Sequence, residues 1–400
     1  MNTDTNPLIQ PPPALLTTVT DPNTKQTNYA FPLQTDAWLK MQAVVKTAIA
    51  FPLSADDFTS LYGTFSDQGS VETAVAILGA IQKTAAKYGD PQTLISELPQ
   101  FQQADKAPAS IYGNAVWLAA QTQVTAQQIG SLLQDGLKDI GQESDPKTRL
   151  GDLTELLTGQ GGIQSWATTL NGYIQDFETV VTAFYSELNA ELTGDTNSLK
   201  TYLQSANNVY KDAQGDVSAD ETKISQLNGD IKQLNDEYIG FTVAGSVAPL
   251  IFLFPLFGPL IAIADAATFG VLATKVSNEL SGLKTELDGV SADEQKKTAL
   301  VTQLQGFNLS AQDVESDGTT FLNTISKLSG GWTEFTTQIG TRLKALTPTD
   351  LENWSAFMQK VGFDNAVSGW QLISAKAETF FQTGLVQFDA PPPSLGWAER

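Results

Sequence analysis

The 400-residue chain contains no cysteine and no histidine. Without Cys there is no disulfide, no thiolate nucleophile and no zinc-finger spacing. Without His there is no imidazole base and no Ser–His–Asp triad. A chain with no thiols folds equally well in reducing or oxidising surroundings, so the compartment stays open. Charge is also scarce: charged residues make up 17%, against a usual share of about 25%. Positive charge is scarcer still, with 23 Lys and Arg against 44 Asp and Glu, a net charge of −21. No basic block appears anywhere, which argues against nucleic acid as a partner. Anionic lipid repels such a surface, so any membrane affinity must come from apolar burial. The first residues, Met1 to Asn6, lack a basic region and an apolar one, so no standard signal peptide is expected.

Catalytic constellations are missing too. Gly159-Gln160-Gly161-Gly162 lacks the third spaced Gly, the following Lys and the preceding strand of a phosphate loop, and reads as a helix–helix turn. Asp56 and Asp57 follow Ser54 and read as a capped helix start. The expectation is a protein that is not an enzyme and needs no cofactor or metal.

What is present is helical periodicity. Residues 1–35 are polar and punctuated by Pro7, Pro11, Pro12, Pro13, Pro22 and Pro32, and read as a tail. Residues 382–400, with Pro391, Pro392 and Pro393, mirror them. Between the tails nearly everything reads as helix, with no convincing sheet. Residues 36–238 and 275–381 are expected to form two parts of one helical bundle, separated by a distinct segment at 239–274. Ile111 to Ile140 is a long helix with a thin apolar stripe, suited to the outside of a bundle. Ile163, Trp166, Leu170, Tyr173, Phe177, Val180 and Phe184 step alternately by three and four, a heptad seam. Similar seams run from Leu203 to Tyr238, from Val276 to Leu304, and from Phe321 to Ile339. Arms of roughly 30–36 residues measure about 45–54 Å at 1.5 Å per residue. The fold class expected is all-α, an elongated antiparallel helical bundle with a hydrophobic hairpin at its head.

The hairpin is the most informative stretch. From Tyr238 to Ala264 no residue is charged, and only Tyr238, Thr242 and Ser246 carry a hydroxyl. The run exceeds the ~18 residues that mark a membrane-spanning candidate. One straight helix is disfavoured by Pro249, Pro255 and Pro259, with Gly258 beside the last. These four are the hinge and turn positions, with the apex at Phe254 to Pro259 and Pro259 suited to open the second leg. The legs fit short helices or a short β-tongue, and the pattern leaves both open. Asp265 is the one charge in the second leg, placed either to line a pore lumen or to cap a turn. Folded about Phe257, the arms align in layers: Tyr238 with Val276, Leu234 with Leu280, Ile231 with Leu283, Leu227 with Leu287, Ile224 with Val290. The next layers set Asp220 beside Glu294 and Val217 beside Lys297, so both seams lose apolar character at one height. That height is a candidate weak layer where the hairpin could bend.

A long helical bundle carrying an apolar hairpin between its two inner arms resembles the α-helical pore-forming toxins. These are the cytolysin A superfamily, with the haemolysin BL and non-haemolytic enterotoxin components and the two-part xenorhabdolysins. The resemblance covers roughly residues 36–381. It rests on arm, head and arm at Leu203–Tyr238, Ile239–Thr274 and Lys275–Leu304, and no short signature motif anchors it. It implies a toxin component, secreted without a standard signal peptide, whose soluble form masks the hairpin. On a target-cell lipid membrane the hairpin would insert, and the chain would assemble with copies of itself and one or two related components. The inserting residues would be Phe241, Val243, Val247, Leu250, Ile251, Phe252, Leu253, Phe254, Leu256, Phe257, Leu260, Ile261, Ile263 and Phe269. In cytolysin A an N-terminal amphipathic helix helps build the pore, and the polar, Pro-rich N-terminus here departs from that. The competing readings are a secretion-system translocator and a hairpin-anchored coiled-coil scaffold.

Overall fold

The computed structural model describes residues 8–20, 25–90, 95–205, 208–217, 221–243, 275, 278–279, 281–283, 285–287 and 289–383. Helices dominate them. α1 spans Asp36–Ile49, α2 Ala55–Tyr62, α3 Gln68–Tyr88, α4 Leu98–Gln103 and α5 Ile111–Ile140. α6 spans Pro146–Thr158, α7 Ile163–Thr193, α8 Leu199–Gln204, α9 Val209–Asp216 and α10 Glu221–Val243. α11 spans Ala292–Ala311, α12 Val314–Ala345, α13 Trp354–Val361 and α14 Phe363–Thr383. The described residues of 275–287 are helical as well. Helix starts are written in short polar side chains. Thr35, Ser54, Ser110, Ser198, Asn208 and Ser291 each accept the backbone N–H three residues on, satisfying a donor that the first turn leaves free.

The molecule is an elongated antiparallel bundle. α5 packs along α14 and α7, and α7 packs along α12. Gln164 reaches the Thr336 carbonyl, Asn171 bonds Ser329 and Thr333, and Tyr185 lies against Gly318, so α7 and α12 run in opposite directions. α12 has 32 residues, a rod of about 48 Å at 1.5 Å per residue. Trp38 sits at the centre of the aromatic core, its ring 5.4 Å from Tyr88, 5.5 Å from Phe321 and 6.0 Å from both Tyr112 and Phe380. A second cluster joins Trp332, Phe335 and Trp370 within the α12–α14 contact.

Four details differ from the sequence pattern. α5 does not lie on the outside: every residue from Ile111 to Ala120 is buried, because α14 covers the face that its thin stripe leaves polar or small. α7 buries Ile163, Leu170, Phe177 and Phe184 of its heptad seam but leaves Tyr173 36% and Val180 41% exposed. Ala167, Ile174, Val181 and Leu188 complete the buried face instead, which is centred between the two partners α5 and α12. The arm from Leu203 to Tyr238 is divided among α8, α9 and α10, and the return arm breaks at Gly289 and Val290. A heptad pattern survives such breaks, whereas the caps Asn208 and Ser291 restart the helix.

The fourth difference is at the N-terminus. Thr17–Thr20 (β1) and Thr27–Ala30 (β2) form an antiparallel hairpin with Thr17 opposite Ala30. Four-residue strands of this kind are too short for alternation to stand out. Residues 8–15 lie across α12 and α14 as a strap, with Leu8, Ile9 and Leu15 buried. Trp370 Nε1 donates to the Ile9 carbonyl at 3.0 Å and Gln10 Nε2 to the Gly362 carbonyl at 2.6 Å. A β-carbon at Gly369 would stand 2.7 Å from Pro11 Cγ, so glycine there admits the strap. The only described sheet is thus in the N-terminal segment, and the β-or-helix choice for 244–274 lies outside the described residues.

Candidate functional site

The uncharged run has one arm on each side, and the structure describes the root where they meet. α10 carries the chain through Phe241 and Val243. Val247, Leu250, Ile251, Phe252, Leu253, Phe254, Leu256, Phe257, Leu260, Ile261, Ile263 and Phe269 lie outside the described residues. So do Pro249, Pro255, Gly258, Pro259, Asp265 and Asp220. Below the run, Ile224, Leu227, Ile231 and Leu234 of α10 are buried, as are Leu283 and Leu287 of the returning arm, and Ile239 at the start of the run is buried as well.

Polar pairs clip the two arms together. Lys275 Nζ is 2.8 Å from Asp230 Oδ1 and 2.6 Å from Oδ2. Gln226 Nε2 donates to Glu279 Oε1 at 3.0 Å, and Lys223 pairs with Glu286. Asp230 is buried beside Glu279, and desolvation followed by this neighbour raises the Glu279 carboxyl above its ordinary value. The arms are therefore adjacent, and near the run their register differs from the one the seams suggested, whereas Lys297 meets Asp216 next to the Val217 set opposite it. Asp230 stands opposite 275 rather than 284, and Gln226 opposite 279 rather than 288. Apolar seams with a repeated heptad fit several registers, so spacing alone does not fix one.

The height of the candidate weak layer carries a break in each arm, between α9 and α10 and at Gly289 and Val290. Glu294 is the third residue of α11 and donates its N–H to Ser291 Oγ at 3.2 Å. Lys297 is clamped by Asp216 at 2.7 Å and Asp293 at 3.0 Å, and lies 5.2 Å above the Phe65 ring. Burial pulls its ammonium down, and the two anions together outweigh that and raise it above the usual value.

Higher on α10 a second polar group fixes it to the body. Lys232 bridges Asp236 at 3.0 Å and Asp313 at 2.7 Å, and Lys40 of α1 reaches Asp236 at 3.3 Å. Asp36 of α1 and Asp317 of α12 complete the group. Asp36 is exposed at the surface, and crowding by the surrounding protein raises its carboxyl, opposed by Lys40 and joined by Asp236. Burial raises Asp317 likewise against Lys40, and Asp313 and Asp236 push the same way. Sequence reasoning missed this group, because its members come from three helices far apart in the chain.

Nothing in the described residues assembles a catalytic site. Asp57 accepts the Ser54 hydroxyl at 2.6 Å at the start of α2. Gly161, at φ +79°, turns the chain from α6 into α7. An open groove of about 660 Å³ between α5, α6 and that turn is lined by Asp139, Glu143, Asp152 and Glu155. Among the described residues no group of three carboxylates is arranged to hold a metal ion. No described helix is long and apolar enough to cross a membrane.

No protein-family model matches the chain, and no curated protein matches it in sequence. Its fold does have solved counterparts. It resembles soluble SmhA of the tripartite α-pore-forming toxin Smh from Serratia marcescens in two crystal forms. One gives a TM-score of 0.53 at 14% identity, covering 89% of this chain and 96% of that one. The other gives 0.51 at 15% identity, covering 90% and 96%. The HblL1 toxin component of Bacillus cereus follows at 0.48 and 13% identity, covering 90% and 97%. With its long antiparallel bundle, and with paired arms on either side of an uncharged run, the chain shares the fold of soluble SmhA.

Proposed function

We propose that this protein is a secreted component of an α-pore-forming toxin and that 239–274 is its membrane-inserting hairpin. The observation that carries the reading is the pairing of the two arms at Asp230 and Lys275. It brings together the two arms that flank a 27-residue uncharged run. Burying large apolar side chains in lipid at roughly 1.5–3 kcal/mol each amounts to tens of kcal/mol, enough to offset the packing forfeited when the bundle opens. Pro249, Pro255 and Pro259 suit a segment that changes conformation between water and lipid. The partners on this reading are the lipid bilayer, further copies of the chain and related components, and no enzymatic step is involved.

The test is dye release from neutral liposomes by the purified protein, alone and with the products of neighbouring genes. Release by the protein alone identifies a self-sufficient pore former. Release only with a partner identifies one part of a multi-component toxin. Silence in every combination overturns the reading and favours a scaffold or translocator.

A further inference from the structure

We propose that the seat of the N-terminal strap on α12 and α14 recognises a Pro-Pro-Pro-small-Leu motif, and that residues 391–395 of the same chain are its second ligand. The motif occurs twice in the sequence, as Pro11-Pro12-Pro13-Ala14-Leu15 and as Pro391-Pro392-Pro393-Ser394-Leu395. The first copy is seated, and the second lies outside the described residues. Such a site is a property of the bundle, whether or not the uncharged run enters a membrane.

The seat fits the first copy position by position. Pro12 and Leu15 are buried, Pro11 and Ala14 are half-buried and Pro13 is exposed. A β-carbon at Gly369 would stand 2.7 Å from Pro11 Cγ, and one at Gly331 would stand 3.0 Å from Ala14 Cβ and 3.1 Å from Leu15 Cδ2. Bare backbone at these two places lets a proline ring and a small side chain come close. Pro12 has φ −61° and ψ 142°, the polyproline conformation. A 3-10 turn follows, in which Leu15 donates its N–H to the Pro12 carbonyl at 3.1 Å. Prolines set this shape in advance, so a second segment of the same pattern loses little entropy in adopting it. Pro391, Pro392 and Leu395 repeat the side chains that fill the seat. Ser394 adds one hydroxyl to Ala14, at a position half open to water.

The second copy is within reach. α14 ends at Thr383, and Gly369 lies 14 residues before it, about 21 Å along the helix. The seven residues 384–390 span up to about 25 Å when extended. The second copy is also the weaker ligand. Ile9 is buried with its carbonyl accepting from Trp370 Nε1, and Gln10 Nε2 donates to the Gly362 carbonyl. Asp389 and Ala390 hold the matching positions. A carboxylate in place of a buried Ile, and the loss of an amide donor, favour the N-terminal copy by roughly tenfold or more. The strap is therefore the resident, and the C-terminal copy takes the seat when the strap leaves. Exchange closes the α12–α14 face again while it frees Leu8, Ile9 and Leu15.

The absence of Cys makes the test direct. Gly330 on α12 is exposed with open space around it. Spin labels at Gly330→Cys and Ala398→Cys report the distance from α12 to the tail. In the parent sequence the short-distance population is minor. In an added Ile9→Asp, Leu15→Asp pair, which unseats the strap, it becomes the main one, and a further Leu395→Asp or Gly369→Val removes it. The short distance persists when labelled protein is diluted into unlabelled protein. A second measurement leaves the strap unmutated: Gly331→Cys with Ser394→Cys traps the exchanged state as a disulfide within one chain, read by mass spectrometry after proteolysis. Leu395→Asp should slow that trapping at least about tenfold. Absence of the disulfide overturns the proposal, and so does absence of the short distance in a folded strap-released protein. If the strap-released pair does not fold, the disulfide decides alone. A short distance or a disulfide indifferent to Leu395→Asp overturns it as well, because the tail then visits the seat without being recognised. Loss of the short distance on dilution, or disulfides between chains alone, makes a neighbouring copy's tail the ligand and overturns the assignment to the chain's own.

Discussion

Single side chains in this protein act mainly through what surrounds them. Trp38 is fully buried among four rings. Trp38→Ala should lower stability by about 3–5 kcal/mol, read as a shift in the urea midpoint, because the rigid aromatic wall cannot collapse into the space. Glu279 works in the opposite sense. Its ionised form is disfavoured by desolvation and by Asp230. Glu279→Gln should therefore be more stable than the parent near neutrality. The advantage should shrink as pH falls toward the ordinary carboxylate value of 4.5, where the parent becomes protonated too. Urea midpoints at about pH 5 and pH 8 check the sign. An advantage that grows in acid would contradict this account of the arm root.

At the scale of elements, the helices were legible from the sequence and some of their ends too, as at Ser54 and over Ile111–Ile140, whereas the breaks inside the long arms were not. The seam of α12 through Phe321, Ile325, Leu328, Trp332, Phe335 and Ile339 is buried throughout, because one partner face runs along it. The seam from Leu203 to Tyr238 is cut into three helices, because Ser205 and Asn208 make a polar turn that apolar spacing does not register. Asn208 Nδ2 donates to the Tyr202 and Ser205 carbonyls at 2.7 and 2.8 Å, and its Oδ1 caps α9. The apolar run itself was legible because absence of charge needs no partner to be seen. The ion group around Lys232 was hidden, because its charges look like ordinary surface until three helices meet. Caps offer a clean perturbation at this scale. Ser291→Ala should cost about 1 kcal/mol, with faster amide exchange confined to the first turn of α11. Gly369→Val should push Pro11 off α14 and cost about 1–3 kcal/mol, with protease cleavage gained in the segment 8–16.

For the whole molecule, the scarcity of positive charge and the uncharged run pull in different directions. A surface of net charge −21 is repelled by anionic bilayers, an effect screened over about 8–10 Å at ordinary salt. Permeabilisation should therefore be stronger on neutral than on anionic vesicles, and added salt should narrow the gap. Ile251→Asp or Phe254→Asp should leave the circular dichroism and solubility of the bundle unchanged while abolishing dye release. Full activity in either variant would remove 239–274 from the mechanism.

The strap across α12 and α14 bears on how the molecule is made. Ile9 and Gln10 find their partners at Trp370 and Gly362, a separation in sequence of more than 350 residues. A ribosome releases the strap early and its docking surface late, so during synthesis the buried Leu8, Ile9 and Leu15 wait without cover. Contacts this distant close slowly. The nascent chain therefore passes through an unsealed stage, in which a chaperone or export factor has apolar sequence to grip before the native bundle shuts it away.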